Sequence, residues 1–263
     1  VNGSKMAPSH LDPACVPNGT SLRVFVALAA AEGHMLSQAD IRQAYLLAPL
    51  SEKVVVMLPR EMKESKVLGI PRDAVAGELQ RAVYGLKESA AAFYAHVDSA
   101  LKQIGFRQND AAPSTYYMEH EKHGMIRILC STDDLLVSSK TTEAYDWVID
   151  GLEGLGMMLK KMGKAGMYLG VNIQSADKEG MKEYTLDMAH YFEGLYDKYV
   201  RPYEKWTGRE IKVCGAPLPT NTQVYDEPLL EPALQETKKA KELQKVFRSI
   251  MGSLTYAATA GAP

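Results

Sequence analysis

Residues 125–138 read MIRILCSTDDLLVS. The runs 125–130 and 135–138 are rich in Ile, Leu and Val, side chains that fit a pleated, largely buried surface. Between them Thr132, Asp133 and Asp134 stand where a hairpin turn belongs. The pattern predicts two antiparallel strands joined by a short acidic turn. A further strand-like run, 115–118, precedes them across the charged loop 119–123. Connections this short pair neighbouring strands antiparallel, so the region reads as part of an antiparallel sheet.

Helical repeats flank this core. Residues 89–104, SAAAFYAHVDSALKQI, carry apolar side chains at 93, 97, 100, 101 and 104 and end at Gly105. Residues 142–155 place Ala144, Trp147, Val148, Leu152 and Leu155 on one helical face. Farther out, 21–33 predicts a helix with Ser21 as N-cap and Gly33 as its stop. Residues 34–41 predict a short strand ending at an acid, and 54–58 a strand closed by Pro59. Residues 1–20 read as an irregular lead-in and 60–78 as a polar excursion. Residues 167–174 and 182–186 predict strands, and 188–200 a tyrosine-rich helix. Residues 201–232 hold five prolines and read as loop, followed by a long helix over 232–256 with Gly252 as a candidate interruption. The sum is an α+β pattern, an antiparallel sheet covered on one face by helices.

Composition narrows the function. Hydrophobic residues are 46% of 263, enough for a sizeable core. A formal charge of −2 excludes a uniformly basic nucleic-acid coat, so any nucleic-acid contact must come from a local patch. Cys15, Cys130 and Cys214 match no zinc spacing and no disulfide framework, which points to a reducing compartment. No apolar run reaches the ~18 residues of a membrane span. No glycine-rich dinucleotide fingerprint follows a strand, and no Walker-type phosphate loop occurs. The chain opens on Val1 without a basic-then-apolar leader, and both ends read as cuts in a longer polypeptide.

The acids at strand ends carry the chemistry. Asp40 ends one apolar run, and Asp133 and Asp134 lie between two others. Desolvated carboxylates are costly unless paired or metal-bound. Acids gathered at strand ends would repel one another unless a divalent cation with a taste for oxygen ligands stood among them. Two such ions can activate an attacking oxygen and stabilise a leaving one. Spacing alone equally fits a plain polar turn at Asp133-Asp134 and a helix N-cap at Asp40, which is the commoner use of Asp.

The surrounding words point further. SQADIRQAYLL (37–47), VYGLKES (83–89), LCSTDDLLV (129–137), YLGVNI (168–173) and RSIMGSLTYA (248–257) follow in this order. Together they resemble the reverse transcriptase of copia-type retrotransposons over roughly residues 20–260. The resemblance implies a right-hand polymerase fold. Residues 1–34 would be a lead-in with partial fingers, 35–180 the palm with a fingers insertion, and 181–263 a helical thumb leading to an RNase H domain.

It also implies roles. Asp40, Asp133 and Asp134 would be catalytic and, with the Ile41 backbone carbonyl, would hold two Mg²⁺ or Mn²⁺ ions. Ala44, Tyr45, Tyr84, Gly85, Lys87 and Lys160 would meet the nucleotide. Tyr45 would form an aromatic floor that excludes a ribose 2′-hydroxyl, Gly85 would allow close backbone approach, and Lys160 or Lys161 would lie near the pyrophosphate. Ser131, Thr132, Tyr168, Leu169 and Gly170 would contact primer and template. The implied partners are an RNA or DNA template with its primer, deoxynucleoside triphosphates, and RNase H and integrase regions of the same polyprotein, with no membrane. The implied location is intracellular, a cytoplasmic particle and then the nucleus.

The chain departs from the family pattern in places. Ser131 and Thr132 stand where the family has a tyrosine and a small apolar residue, and Ala90 replaces a proline. Residues 1–20 offer only Lys5 as a strong base where the family's fingers carry a basic strand. Two readings therefore stay open: a working RNA-directed DNA polymerase, or a decayed or repurposed copy that keeps the fold and binds nucleic acid without polymerising. A pure binding or particle-assembly module has no use for three acids, which repel a phosphate backbone. A metal-dependent nuclease shares the acids but leaves Tyr45 and the 83–89 word unexplained.

Overall fold

A computed structural model describes residues 16–64, 69–71, 73–208, 210 and 238–261. The first half contains α1 (Gly19–Ala31), β1 (Met35–Ile41), α2 (Ala44–Leu47), β2 (Pro49–Met57), α3 (Arg60–Glu64), β3 (Ala76–Arg81) and α4 (Ser89–Gln103). Next come β4 (Arg107–Asn109), β5 (Ala112–His120), β6 (Gly124–Ser131), β7 (Asp134–Ser139), α5 (Thr142–Gly154) and β8 (Leu159–Lys164). The remainder is β9 (Met167–Tyr168), β10 (Val171–Lys178), β11 (Met181–Asp187), α6 (Ala189–Leu195), a π-helix (Tyr196–Val200), α7 (Arg201–Thr207) and α8 (Lys238–Gly261). The chain divides into two units, residues 1–169 with 173–185, and residues 170–172 with 186–263.

In the first unit a six-stranded sheet runs β4-β5-β6-β7-β1-β8, with antiparallel pairing throughout. The 125–138 stretch forms its β6–β7 hairpin. Alternation of side chains sets the faces. Ile126, Ile128 and Cys130 of β6, Leu135 and Val137 of β7, and Ala39 and Ile41 of β1 share a buried core. Phe93, Val97 and Leu101 of α4 and Val148, Ile149 and Leu152 of α5 complete it. Each large apolar side chain so buried contributes roughly 1.5–3 kcal/mol.

The expectation of helices on one face only is corrected. Leu36, Leu129 and Leu136 project from the other face and are also buried. Helix α1 lies on that side. Glu32, just past its end, takes two hydrogen bonds from Arg127 of β6, at 2.6 and 2.7 Å. A cavity of about 410 Å³ opens between Val24, Phe25 and Leu28 of α1 and Thr115, Tyr117 and Arg127 of the sheet. A strand covered on both faces reads as a continuous apolar run, as 135–137 does.

Other boundaries also differ. Helix α1 is capped by Asn18, whose Oδ1 accepts from the Ser21 N–H at 2.8 Å; Ser21 is inside the helix. The polar excursion 60–78 contains α3 and the start of β3, which pairs with β2. The region read as loop from 201 begins with α7. The tyrosine-rich helix changes to a π-helix at Tyr196. Helix α8 passes Gly252 unbroken, at the ~1 kcal/mol a helical glycine costs. The expected lead-in up to residue 15, with Cys15 and Lys5, lies outside the described residues, as do Cys214 and the expected helical residues 232–237.

The second unit is built on tyrosines. The Tyr191 hydroxyl donates to the Ser253 carbonyl at 3.1 Å, and its ring meets Tyr256 edge-on at 5.0 Å. The Tyr199 hydroxyl lies 2.6 Å from Ser249 Oγ, tying the π-helix to α8. Hydrogen bonds from Ser249, Ser253 and Lys198 lower its pKa to about 8. No described helix is long and apolar enough to cross a membrane.

Candidate active site

The β6–β7 hairpin closes through Thr132 and Asp133, with Ser131 and Asp134 as the last pair. Asp134 is thus the first residue of β7 rather than part of the turn. Thr132 adopts φ 53°, rare for a β-branched residue and costly by about 1–3 kcal/mol. Cys130 Sγ, 3.6 Å from the Thr132 carbonyl oxygen, helps to hold that turn.

Strand β1 brings Asp40 to the hairpin. Asp40 stands directly opposite Asp134, and the Ile41 N–H donates to the Asp133 carbonyl at 2.8 Å. Asp40 is therefore a strand residue and caps no helix. On its other side Asp40 is in register with Lys160 of β8. The neighbouring Lys161 is engaged with Asp146 of α5. Of the two lysines weighed from sequence, Lys160 is the one in register with Asp40.

Asp134 feels the charges of the other two acids. Burial pushes the Asp134 carboxyl up, the Gln38 amide pulls it down, and the charges of Asp133 and Asp40 push it up again. Gln38 is 4% exposed, and its Nε2 donates to Asp134 Oδ1 at 3.2 Å and to the Met167 carbonyl at 3.0 Å. Sequence reasoning passed over Gln38. Its signal was its place two residues before Asp40, which puts both side chains on one face of the strand.

An aromatic group borders the hairpin. Tyr45 of α2 meets Tyr84 edge-on at 4.9 Å and the buried Phe93 at 6.0 Å. Burial first, then the charge of Asp133, raises the Tyr45 hydroxyl pKa, so ring and acid are neighbours. Tyr84 is exposed and Gly85 follows with φ 94°. The Leu86 N–H returns to the Val83 carbonyl, a turn whose third residue takes a positive φ that suits glycine. Ser89 Oγ fastens this turn to α4 by donating to the Val83 carbonyl at 2.6 Å. Lys87 is exposed in the same segment. Ala44 is 2% exposed and belongs to the core, so its side chain is not offered to a ligand.

Tyr168 is fully buried, and its hydroxyl donates to the Leu129 carbonyl at 2.9 Å. Its ring supports the hairpin from behind and is not presented to a primer. Leu169 (φ 50°) and Gly170 (φ 69°) form the β9–β10 turn, with both central residues left-handed as in a type I′ hairpin. A Cβ on Gly170 would lie 2.6 Å from the Tyr256 hydroxyl oxygen, so a larger residue here would displace that ring.

The donor set of this site fits a hard divalent cation: carboxylate oxygens from Asp40, Asp133 and Asp134, with mutual repulsion that such a charge would relieve. Among the described residues, however, no three His, Cys, Asp or Glu side chains already stand in metal-holding geometry. One oxygen of Asp134 is engaged by Gln38 instead.

Comparison with known proteins gives the family. The chain is 26% identical over 224 residues to a putative transposon Ty5-1 protein of Saccharomyces cerevisiae, covering 85% of this chain and 64% of that protein. It is 24% identical over 238 residues to the retrovirus-related Pol polyprotein from transposon TNT 1-94 of Nicotiana tabacum, covering 90% of this chain and 17% of the polyprotein. It is 23% identical over 246 residues to that from transposon RE2 of Arabidopsis thaliana, covering 92% and 15%. The chain thus spans less than two thirds of each relative's length. Residues 6–199 match the family described as reverse transcriptase (RNA-dependent DNA polymerase). By this match and these relatives, the chain belongs to the reverse transcriptase family and is of the copia type.

Proposed function

We propose that this chain is the RNA-directed DNA polymerase domain of a retrotransposon polyprotein, with the six-stranded sheet as its palm. The observation that carries the reading is the register of Asp40 against Asp134, with Asp133 in the adjoining turn and Tyr45 beside it. The β2–β3 pair and the 83–89 turn serve as fingers elements, and α6 to α8 as the thumb. The substrates are deoxynucleoside triphosphates and a primer on an RNA or DNA template. RNase H and integrase regions of the same polyprotein are the expected partners, inside a cytoplasmic particle and later the nucleus.

In the reaction a primer 3′-hydroxyl attacks the α-phosphorus in line. A new O–P bond forms, the P–O bond to pyrophosphate breaks, and the hydroxyl proton passes to water. Asp40, Asp133 and Asp134, with the Ile41 carbonyl, would hold Mg²⁺ or Mn²⁺. When bound, such ions supply Lewis acidity for the attacking oxygen and positive charge for the leaving group. Tyr45, wedged between Tyr84 and Phe93, provides a fixed ring against the sugar. Gly85 lets backbone approach the nucleotide. Lys160, beside Asp40 in the sheet, supplies a cation at the edge of the acid group.

A second reading, a copy that keeps the fold and binds nucleic acid without polymerising, draws support from the acids' lack of convergence among the described residues. Template-directed incorporation of a single nucleotide separates the two. Polymerase function requires the added base to follow the template base; a binding module adds none.

A further inference from the structure

Gln38 is one of two buried polar residues of β1, with Ser37, and its side chain reaches Asp134. Its Nε2 faces two acceptors, Asp134 Oδ1 at 3.2 Å and the Met167 carbonyl at 3.0 Å. That pairing fixes the amide's orientation, because the flipped form would set an oxygen against two oxygens. The backbone is held as firmly. The Gln38 carbonyl accepts from the buried Tyr145 hydroxyl at 2.9 Å. The β1–β8 register shifts between Gln38 and Ala39, where Met162 of β8 is the extra residue.

We propose that Gln38 is a positioning residue: it holds Asp134 by one carboxylate oxygen and leaves the other to a divalent cation. Asp134 then offers Oδ2 alone to the cation, while Asp40 and Asp133 keep both carboxylate oxygens for it. The same amide ties Asp134 to β9 through the Met167 carbonyl, so the third acid is oriented by the strand that leads into the Leu169–Gly170 turn. Gln38 itself touches neither cation nor substrate. The inference rests on the polymerase reading of the acid site and deepens it.

The test uses the full chain and reads cation binding, not turnover. Mn²⁺ affinity is measured by electron paramagnetic resonance for the wild type, Gln38→Met and Tyr145→Phe, each with its melting midpoint. Gln38→Met keeps length and removes the donor. It is expected to weaken Mn²⁺ binding by about 10- to 100-fold, the usual cost of losing a group that orients a ligand. Tyr145→Phe, which removes a hydroxyl that meets Gln38 at its backbone carbonyl and not at its side chain, is expected to lower the midpoint and leave Mn²⁺ affinity within about twofold. In parallel, the side-chain amide resonances of Gln38 in the wild type are followed during Mg²⁺ titration and are expected to shift as the site fills; this decides the matter should Gln38→Met fail to fold. Unchanged Mn²⁺ affinity in a folded Gln38→Met overturns the proposal, as does an amide that stays silent while Mg²⁺ saturates. A wild type that binds neither ion overturns the polymerase reading itself, and the role of Gln38 with it.

Discussion

Asp40 and Asp134 face each other across the β1–β7 pair, one residue beyond the Ala39–Leu135 pair that is wholly buried. Like charges directly opposite in a sheet are destabilising. The fold accepts this only where the two strands emerge from the core, and there it adds a third acid, Asp133.

That relationship predicts a trade of stability for function. Asp134 has its carboxyl pKa raised by burial, with Asp133 and Asp40 adding to it. A carboxyl raised on folding contributes stability that is fully present below its unfolded value near 3.8 and is lost as pH rises through the raised one. Asp134→Asn keeps the oxygen that Gln38 binds and removes the charge. Its melting midpoint is expected above the wild type's at pH 7 and equal to it near pH 3, with polymerisation lost. A lower midpoint at pH 7 would contradict this.

Tyr45 predicts sugar selection. Its ring is backed by Phe93 and flanked by Tyr84. Tyr45→Ala is expected to reduce preference for deoxynucleotides over ribonucleotides by roughly 10- to 200-fold, what one small added group is worth in a shaped pocket. Paired incorporation rates with each nucleotide type check it; an unchanged ratio would remove the steric role.

Tyr168 predicts a structural cost. Its buried hydroxyl donates to the Leu129 carbonyl beneath the hairpin. Tyr168→Phe leaves that acceptor without this donor and is expected to cost about 1–3 kcal/mol. Thermal and urea unfolding measure it. A loss of primer affinity with unchanged stability would instead point to direct contact.

His34 predicts acid sensitivity. It is 1% exposed, with Nδ1 at 3.1 Å from Ser138 Oγ and Nε2 at 3.4 Å from Glu32. Burial lowers its pKa, against the pull of Glu32. A histidine depressed on folding contributes stability present above its unfolded value near 6.5 and lost as pH falls through the lower one. The melting midpoint is expected to fall between pH 7 and pH 5, and to fall less in His34→Gln.

Much of this fold was legible because buried periodicity is a strong signal. The alternation in 125–130 and the four-residue spacing in 93, 97 and 101 both describe side chains that pack in the core. Strand β3 was missed because none of its residues is buried, so nothing in its sequence alternates toward a core. The cap moved from Ser21 to Asn18 because either residue type caps equally well. Of the site, Asp40, Asp133, Asp134 and Tyr45 were named from their motif words; the structure sets Asp40 opposite Asp134, with Asp133 in the adjoining turn, short of a metal-holding cluster among the described residues. Ala44 and Tyr168 were named with them, yet their side chains are buried, since a motif word marks a segment and not the direction of each side chain. Gln38 was passed over because a strand glutamine ordinarily faces water, although its two-residue spacing from Asp40 put it on the same face.

The central claim is that the three acids make this chain a polymerase. Primer extension on an RNA template with Mg²⁺ tests it most directly, comparing the wild type with Asp133→Asn and confirming both folded by melting midpoint. The account predicts extension by the wild type and a loss of at least about 10³-fold in the variant, several kcal/mol of transition-state stabilisation. Full extension by a folded Asp133→Asn would contradict it.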